Sequence, residues 1–170
     1  MVGVQIAVVG SSTTKDKKLF SIAEETGRLI AEKKATLFCG NVIGIMSGAL
    51  KGAKQKAGKT VVIVPFEETG QGDLSNCDVY IPSAMNWYSR GASLVNAVDG
   101  IIVIGGGVGT LTEVAYAWWK ETPVVIIETG EELDKYIGKG FDKRKNHKIL
   151  GAKNPREAVE KLFEIISKKK

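Results

Sequence analysis

The sequence predicts an α/β domain: a doubly wound, mostly parallel sheet of about seven strands with helices on both faces. Three observations predict it. Short β-prone apolar runs alternate with longer stretches of helical period along the whole chain. The runs place apolar residues at successive positions, as strands buried on both faces do. One of them, Ile101–Ile104, passes at once into Gly105, Gly106, Gly107 and Gly109, then into an apolar stripe at helical spacing, Leu111, Val114, Ala115 and Trp118. The chain has 170 residues, 44% of them hydrophobic, and a mean hydropathy of −0.01. That suffices for one core, and residues 1–170 are read as a single domain with no repeat or linker.

Each element has a local reason. Val4–Val9 is the first strand and ends in the small polar loop Gly10-Ser-Ser-Thr-Thr14. Lys17–Lys34 is an amphipathic helix with Leu19, Ile22, Ala23, Thr26, Leu29 and Ile30 inward. Thr36–Cys39 is the second strand, and Gly40-Asn-Val-Ile-Gly-Ile-Met-Ser-Gly48 leads into a helix to about Ala57. The Gly40, Gly44, Gly48 spacing permits either close helix packing or a backbone face open to a ligand. Thr60–Val64 is a strand stopped by Pro65, and residues 66–76 form a polar loop of the rim or lid kind. Val79–Ile81 is a short strand closed by Pro82, and Asn86–Val98 is a helix leading to the central strand.

After a helix to Lys120, Pro123 opens the strand Val124–Ile127. Residues 128–146 are polar, with a short helix at Glu131–Ile137, and Ile149-Leu150 is a last short strand. Asn154, Pro155 and Glu157 are an N-cap, an N1 proline and an N3 acid, opening a final helix to Ile166.

Composition excludes several classes of function. No run approaches the ~18 apolar residues of a membrane helix. The N-terminus lacks a basic region ahead of its apolar run, so no signal peptide and a cytoplasmic location are expected. Cys39 and Cys77 are too few for a disulfide framework and lack metal-ligand spacing. His147 is the only histidine, which rules out a multi-histidine metal site and any Ser-His-Asp triad that it does not itself supply. Its neighbours, Lys143–Lys148, read as a solvated basic loop. Neither a metal site nor a resident cofactor is expected. A net charge of +5 suits an anionic ligand but is modest for nucleic acid. Part of that charge, Lys168–Lys170, is expected to fray.

The glycine-rich turn carries the chemistry. Strand, glycine turn and helix in succession set unpaired N–H groups and the positive end of a helix dipole against an anion. Thr110 either caps the helix or bonds the anion, and Glu113 follows one turn further in. Two other readings compete: a plain tight connection, and a dinucleotide fingerprint. Gly105-x-Gly107 fits the fingerprint's first half, and Glu128 falls near where a ribose-binding acid would. However, Thr110 stands where the third glycine should pack, and too little chain follows for a second nucleotide-binding half.

Ligands of such sheets bind beyond the carboxyl ends of the strands. That edge collects Gly10, Ser11 and Ser12, then Gly40 and Asn41, then Gly105, Gly106, Gly107, Gly109 and Thr110, the expected phosphate- and nucleotide-binding set. Arg90, by itself, reads as a surface ion-pair residue. Trp87, Tyr88, Tyr116, Trp118 and Trp119 cluster on the two flanking helices, more than a small domain's helices bury, so a homodimer or higher homo-oligomer is expected.

Gly105-Gly-Gly-Val-Gly-Thr-Leu-Thr-Glu113 resembles the Pro-Gly-Gly-x-Gly-Thr-x-x-Glu signature of the Lonely Guy family and its wider SLOG superfamily. That superfamily also takes in DprA-like proteins and molybdenum cofactor carriers. Cys39–Gly48 and Gly58–Pro65 are similar to further segments of the family in the same order. The resemblance covers roughly residues 4–127 and implies a Rossmann-like fold. In the catalytic family an arginine works with the motif's glutamate to cleave the N-glycosidic bond of nucleoside 5′-monophosphates. The matching residues here are Arg90 and Glu113. The resemblance implies that Glu113 stabilises positive charge at C1′ or guides a water, while Arg90 holds Glu113 ionised or contacts phosphate and ribose.

This sequence departs from the pattern on both sides of the site. Gly91 replaces the lysine after the arginine, and Gly105 replaces the proline. Triple-glycine chains are more like the branch related to molybdenum cofactor carriers. Two functions stay open: a phosphoribohydrolase of nucleoside monophosphates, and a non-catalytic carrier or sensor of a nucleotide-like cofactor such as molybdenum cofactor. DprA-like DNA binding ranks third, and lysine decarboxylase, a label given to relatives, finds no pyridoxal-phosphate constellation.

Overall fold

The computed structural model describes residues 3–169. Seven strands, β1 (Gln5–Gly10), β2 (Thr36–Cys39), β3 (Thr60–Val64), β4 (Val79–Pro82), β5 (Gly100–Ile104), β6 (Val124–Ile127) and β7 (Leu150–Ala152), form one sheet. Its order is β4-β3-β2-β1-β5-β6-β7, and every neighbouring pair is parallel. The five α-helices are α1 (Lys17–Glu32), α2 (Gly44–Lys54), α3 (Trp87–Asn96), α4 (Val108–Lys120) and α5 (Pro155–Lys169).

Alternation along each strand divides the core in two. Ile6, Val8, Ile102 and Ile104 face α1, α2 and α5, meeting Leu19, Ala49 and Leu162. Ala7, Val9, Ile101 and Val103 face α3 and α4, meeting Leu94, Val114 and Trp118. α1 and α2 lie in unusually close contact because glycines face the neighbouring backbone. A Cβ on Gly27 would stand 1.9 Å from the Ala49 carbonyl oxygen, and one on Gly52 1.8 Å from that of Glu24. Alanine at either would push the helices apart.

Strands β2 and β3 have the predicted limits; several helix ends do not. α1 stops at Glu32 and α2 at Lys54, short of Lys34 and Ala57, and both later residues have left-handed φ, 58° and 52°. The predicted helix at Glu131–Ile137 is a 3₁₀ turn at Glu132–Tyr136, and the last strand starts at Leu150. α5 continues past Ile166, so Lys168 and Lys169 do not fray as expected. Lys168 pairs with Glu164 one turn back at 2.5 Å, and Lys169 Nζ donates to the Glu121 carbonyl at 2.6 Å. Lys170, the remainder of that tail, lies outside the described residues, as do Met1 and Val2 at the predicted leaderless start. Among the described residues, no helix is long and apolar enough to cross a membrane.

Candidate functional site

The sheet changes direction at its centre. β1 leads through α1 to β2 on one side, and β5 leads through α4 to β6 on the other. Parallel α/β sheets open a crevice at such a point, beyond the carboxyl ends of the strands. A cavity of about 370 Å³ lies there, within the ~300–1,000 Å³ of small-molecule sites.

Most of the predicted residues come together in its wall: Gly10, Ser11, Ser12, Gly40, Asn41, Arg90, Gly107, Gly109, Thr110 and Glu113. Gly105 and Gly106 do not; they shape the turn behind it. Gly105 has φ +57° and Gly106 φ +110°, and a Cβ on Gly106 would lie 2.5 Å from Thr110 Oγ1. Gly107 and Gly109 differ from them: a Cβ on either would meet nothing within 4 Å. Two glycines therefore make the bend and two leave space in front of it.

The start of α4 is the most open of the helix ends. Asp16 caps α1, accepting from Lys18 N at 2.7 Å, and Asn86 caps α3, accepting from Ser89 N at 3.0 Å. Asn154 caps α5 through Glu157 N at 3.0 Å, and the Ser11 carbonyl takes Ile45 N of α2 at 3.0 Å. At α4 the N-cap is Gly107, which has no side chain to offer. The first helical bond runs from Leu111 N to the Gly107 carbonyl at 2.9 Å, so the amides of Val108, Gly109 and Thr110 lie ahead of any intrahelical acceptor. Thr110 is thus not the cap. It sits in the first turn, and its hydroxyl donates to the Gly10 carbonyl at 3.3 Å, tying the two central strand ends together.

One turn on, Glu113 meets Arg90 from α3. Arg90 Nη1 donates to Glu113 Oε1 at 2.8 Å, with side chains only 3% and 10% exposed. Arg90 is therefore a buried partner rather than the surface cation that its helix alone suggested. Gly40 makes room for it, since a Cβ there would stand 2.1 Å from Nη1. Gly44 has φ +55° and lets the β1 loop touch the start of α2, while Gly48 packs against α1. The evenly spaced glycines thus serve three separate contacts. Arg90 Nε is buried without a hydrogen-bond partner. Burial pushes the Glu113 carboxyl above its ordinary range, and the Arg90 guanidinium pulls it part of the way back.

Sequence reasoning did not assign Thr13, Met46, Trp87, Tyr88 and Thr112 to this wall. Thr13 was within reach as the next residue of the Ser11-Ser12 loop, whereas nothing local marks Met46. Among the described residues, no group of three or more His, Cys, Asp or Glu side chains could hold a metal ion. His147 is not a solvated loop residue: its Nε2 lies 2.7 Å from the Trp118 carbonyl, and Trp118 Nε1 donates back to the His147 carbonyl at 3.0 Å. Nor do the five aromatics form one cluster. Trp118 is in the core, Trp119 lies beneath Arg144 and Lys145, and Trp87 and Tyr88 are exposed at the cavity.

Comparison with known proteins agrees with this architecture. The profile of the SLOG cluster4 family matches residues 3–159. An uncharacterized protein of Archaeoglobus fulgidus is 36% identical over 147 residues, 78% of this chain and 93% of the relative. The molybdenum cofactor binding protein from the phototrophic bacterium Rippkaea orientalis superposes with a TM-score of 0.84 at 27% identity, over 98% of this chain and 99% of that one. The molybdenum cofactor carrier protein from Chlamydomonas reinhardtii has a TM-score of 0.79 over 97% of this chain and 99% of its own. At 24% identity it shows the fold alone.

Proposed function

The chain belongs to the SLOG cluster4 family, and on that footing we propose that it binds and carries a phosphorylated, nucleotide-like ligand. The phosphate sits on the open amides of α4, and the rest of the ligand lies along the wall toward Arg90. The observation that carries this is the uncapped α4 N-terminus, with Gly107 and Gly109 facing empty space in a cavity of about 370 Å³. An anion there meets three donors and a favourable helix dipole.

The solved relative that binds molybdenum cofactor supports a pterin phosphate as the cargo. The wall suits such a guest: amides for its phosphate, and small polar side chains at Ser11, Ser12 and Asn41 for its middle.

A second reading has one specific observation in its favour. Arg90 and Glu113, the pair that the hydrolytic relatives use, are bonded at 2.8 Å inside the same cavity. As a phosphoribohydrolase the protein would release free base and ribose 5-phosphate from a nucleoside monophosphate.

Equilibrium dialysis with AMP and ribose 5-phosphate, alongside an assay for free adenine, separates the two. Carriage gives saturable binding of the phosphate esters without adenine release, and Glu113→Ala keeps the binding. Adenine release by the wild type that Glu113→Ala abolishes establishes the hydrolase. Absence of any binding by phosphate esters removes both. We also propose that the chain self-associates through its exposed aromatics. Light scattering that gives the 18.3 kDa of one chain refutes this.

A further inference from the structure

We propose that Trp87 is the platform on which the ligand's flat ring stacks, so that the site selects phosphate esters of a planar heteroaromatic ring over the same sugar phosphate without one. The inference rests on the anion reading above and adds to it the residue that reads the other end of the molecule.

Trp87 is held where such a residue is needed. It is the first residue of α3, fixed there by the Asn86 cap. Arg90 lies one turn on, and its guanidinium sits over the indole at 5.1 Å from the ring centroid. That guanidinium is itself buried and bonded to Glu113. The indole is thus braced on one side by a fixed cation, while the residue stays 38% exposed in the cavity wall.

The contacts run in order: α4 amides, Glu113 one turn along α4, Arg90 on Glu113, then Trp87 on Arg90. A guest whose phosphate meets the amides has its far end at the indole. Part of the inner wall is small and polar, chiefly Ser11, Ser12, Thr13 and Asn41, and Val9, Met46 and Tyr88 add apolar surface. A sugar phosphate alone leaves the indole wet, whereas a base or pterin covers it. Aromatic stacking tolerates any ring with a π-face, so Trp87 selects for a ring without naming it.

The test compares AMP with ribose 5-phosphate, which shares its sugar and phosphate but lacks the ring, by calorimetry on the wild type, Trp87→Ala, Trp87→Phe and Phe66→Ala. Phe66, 71% exposed and outside the cavity wall, is the control for loss of an exposed aromatic and should bind both esters like the wild type. The wild type binds AMP the more tightly. Trp87→Ala weakens AMP by about fivefold to a hundredfold and leaves ribose 5-phosphate within about twofold, and Trp87→Phe keeps most of the margin. AMP also quenches indole emission in the wild type but not in Trp87→Phe, which retains Trp118 and Trp119.

Equal wild-type affinity for the two esters overturns the proposal. So does a parallel loss of both in Trp87→Ala, which would mean that Trp87 serves only to hold Arg90. Failure of the wild type to bind either ester is a different result: it defeats the anion site itself, and the stacking role with it.

Discussion

Replacing Gly109 by alanine should make the protein more stable and worse at binding. Gly109 is the second residue of α4 with no left-handed φ, and its added methyl would meet no protein atom within 4 Å. Glycine in a helix interior is less favourable than alanine by roughly 0.5–1 kcal/mol, so the folded state gains up to that amount. For a chain of this size the midpoint of thermal unfolding rises by about 1–4 °C. In the proposed binding mode the same methyl occupies the space through which a phosphate would reach the amides. Losing one charge-assisted hydrogen bond there removes about 1.5–3 kcal/mol, or roughly ten- to 150-fold in affinity. Scanning calorimetry and titration with ribose 5-phosphate on one preparation read both quantities. A variant that is stabilised yet binds ribose 5-phosphate like the wild type refutes the placement of the phosphate on α4.

Three further outcomes test the site's construction. Gly106→Ala, with φ +110° and Thr110 Oγ1 at 2.5 Å from the new Cβ, should lose at least about 1–3 kcal/mol in urea unfolding, opposite in sign to Gly109→Ala. Arg90→Met strands Glu113 in a buried site and should lose about 3–5 kcal/mol at neutral pH, with most of it restored in the Arg90→Met/Glu113→Leu double variant. Glu113 also makes stability depend on pH. Its folded value is raised above the ordinary 4.5, so between those values the folded chain holds a proton that the unfolded chain has released. Its contribution is therefore complete below about 4.5 and is lost as pH rises through the folded value. Unfolding curves across that window should show the decline in the wild type and a flatter profile in Glu113→Gln.

The sheet was legible because its punctuation is local. Pro65 ends β3 and Gly40 follows β2 directly, and both strands have their predicted limits. The ends of α1 and α2 were not, because the residues that turn left-handed after them are Lys34 and Ala57, neither of them glycine, whereas α4 ends at Lys120 as predicted. The loop residues of the site were legible as polar or glycine-rich turns at strand ends. What they do was less so, since their reasons are distant in sequence. Gly40 is small because of Arg90, Gly106 because of Thr110, and Thr110 bonds Gly10 instead of capping its own helix. His147 looked solvated because its partner, Trp118, belongs to another element.

Position 91, where this chain departs from the hydrolytic pattern, weighs between the two functional readings. The lysine of that pattern is a glycine here, and a Cβ on Gly91 would lie 3.2 Å from Glu113 Cγ. The glutamate thus packs against the place where the missing side chain would begin. Glu113 is left with Arg90 as its one ion-pair partner among the described residues, in a site whose burial pushes its carboxyl upward. A carboxylate that must stabilise positive charge at C1′ works best fully ionised, and a second cation nearby would favour that state. Gly105 points the same way: its φ of +57° is closed to the proline of the hydrolytic motif, whose ring holds φ near −65°, so the turn here follows a path of its own. A buried pair with one cation, beside a turn that takes its own path, suits the proposed retention of a phosphate ester better than cleavage. The comparison that decides it is Gly91→Lys: if the added cation creates adenine release where the wild type has none, position 91 separates the carrier from the hydrolase.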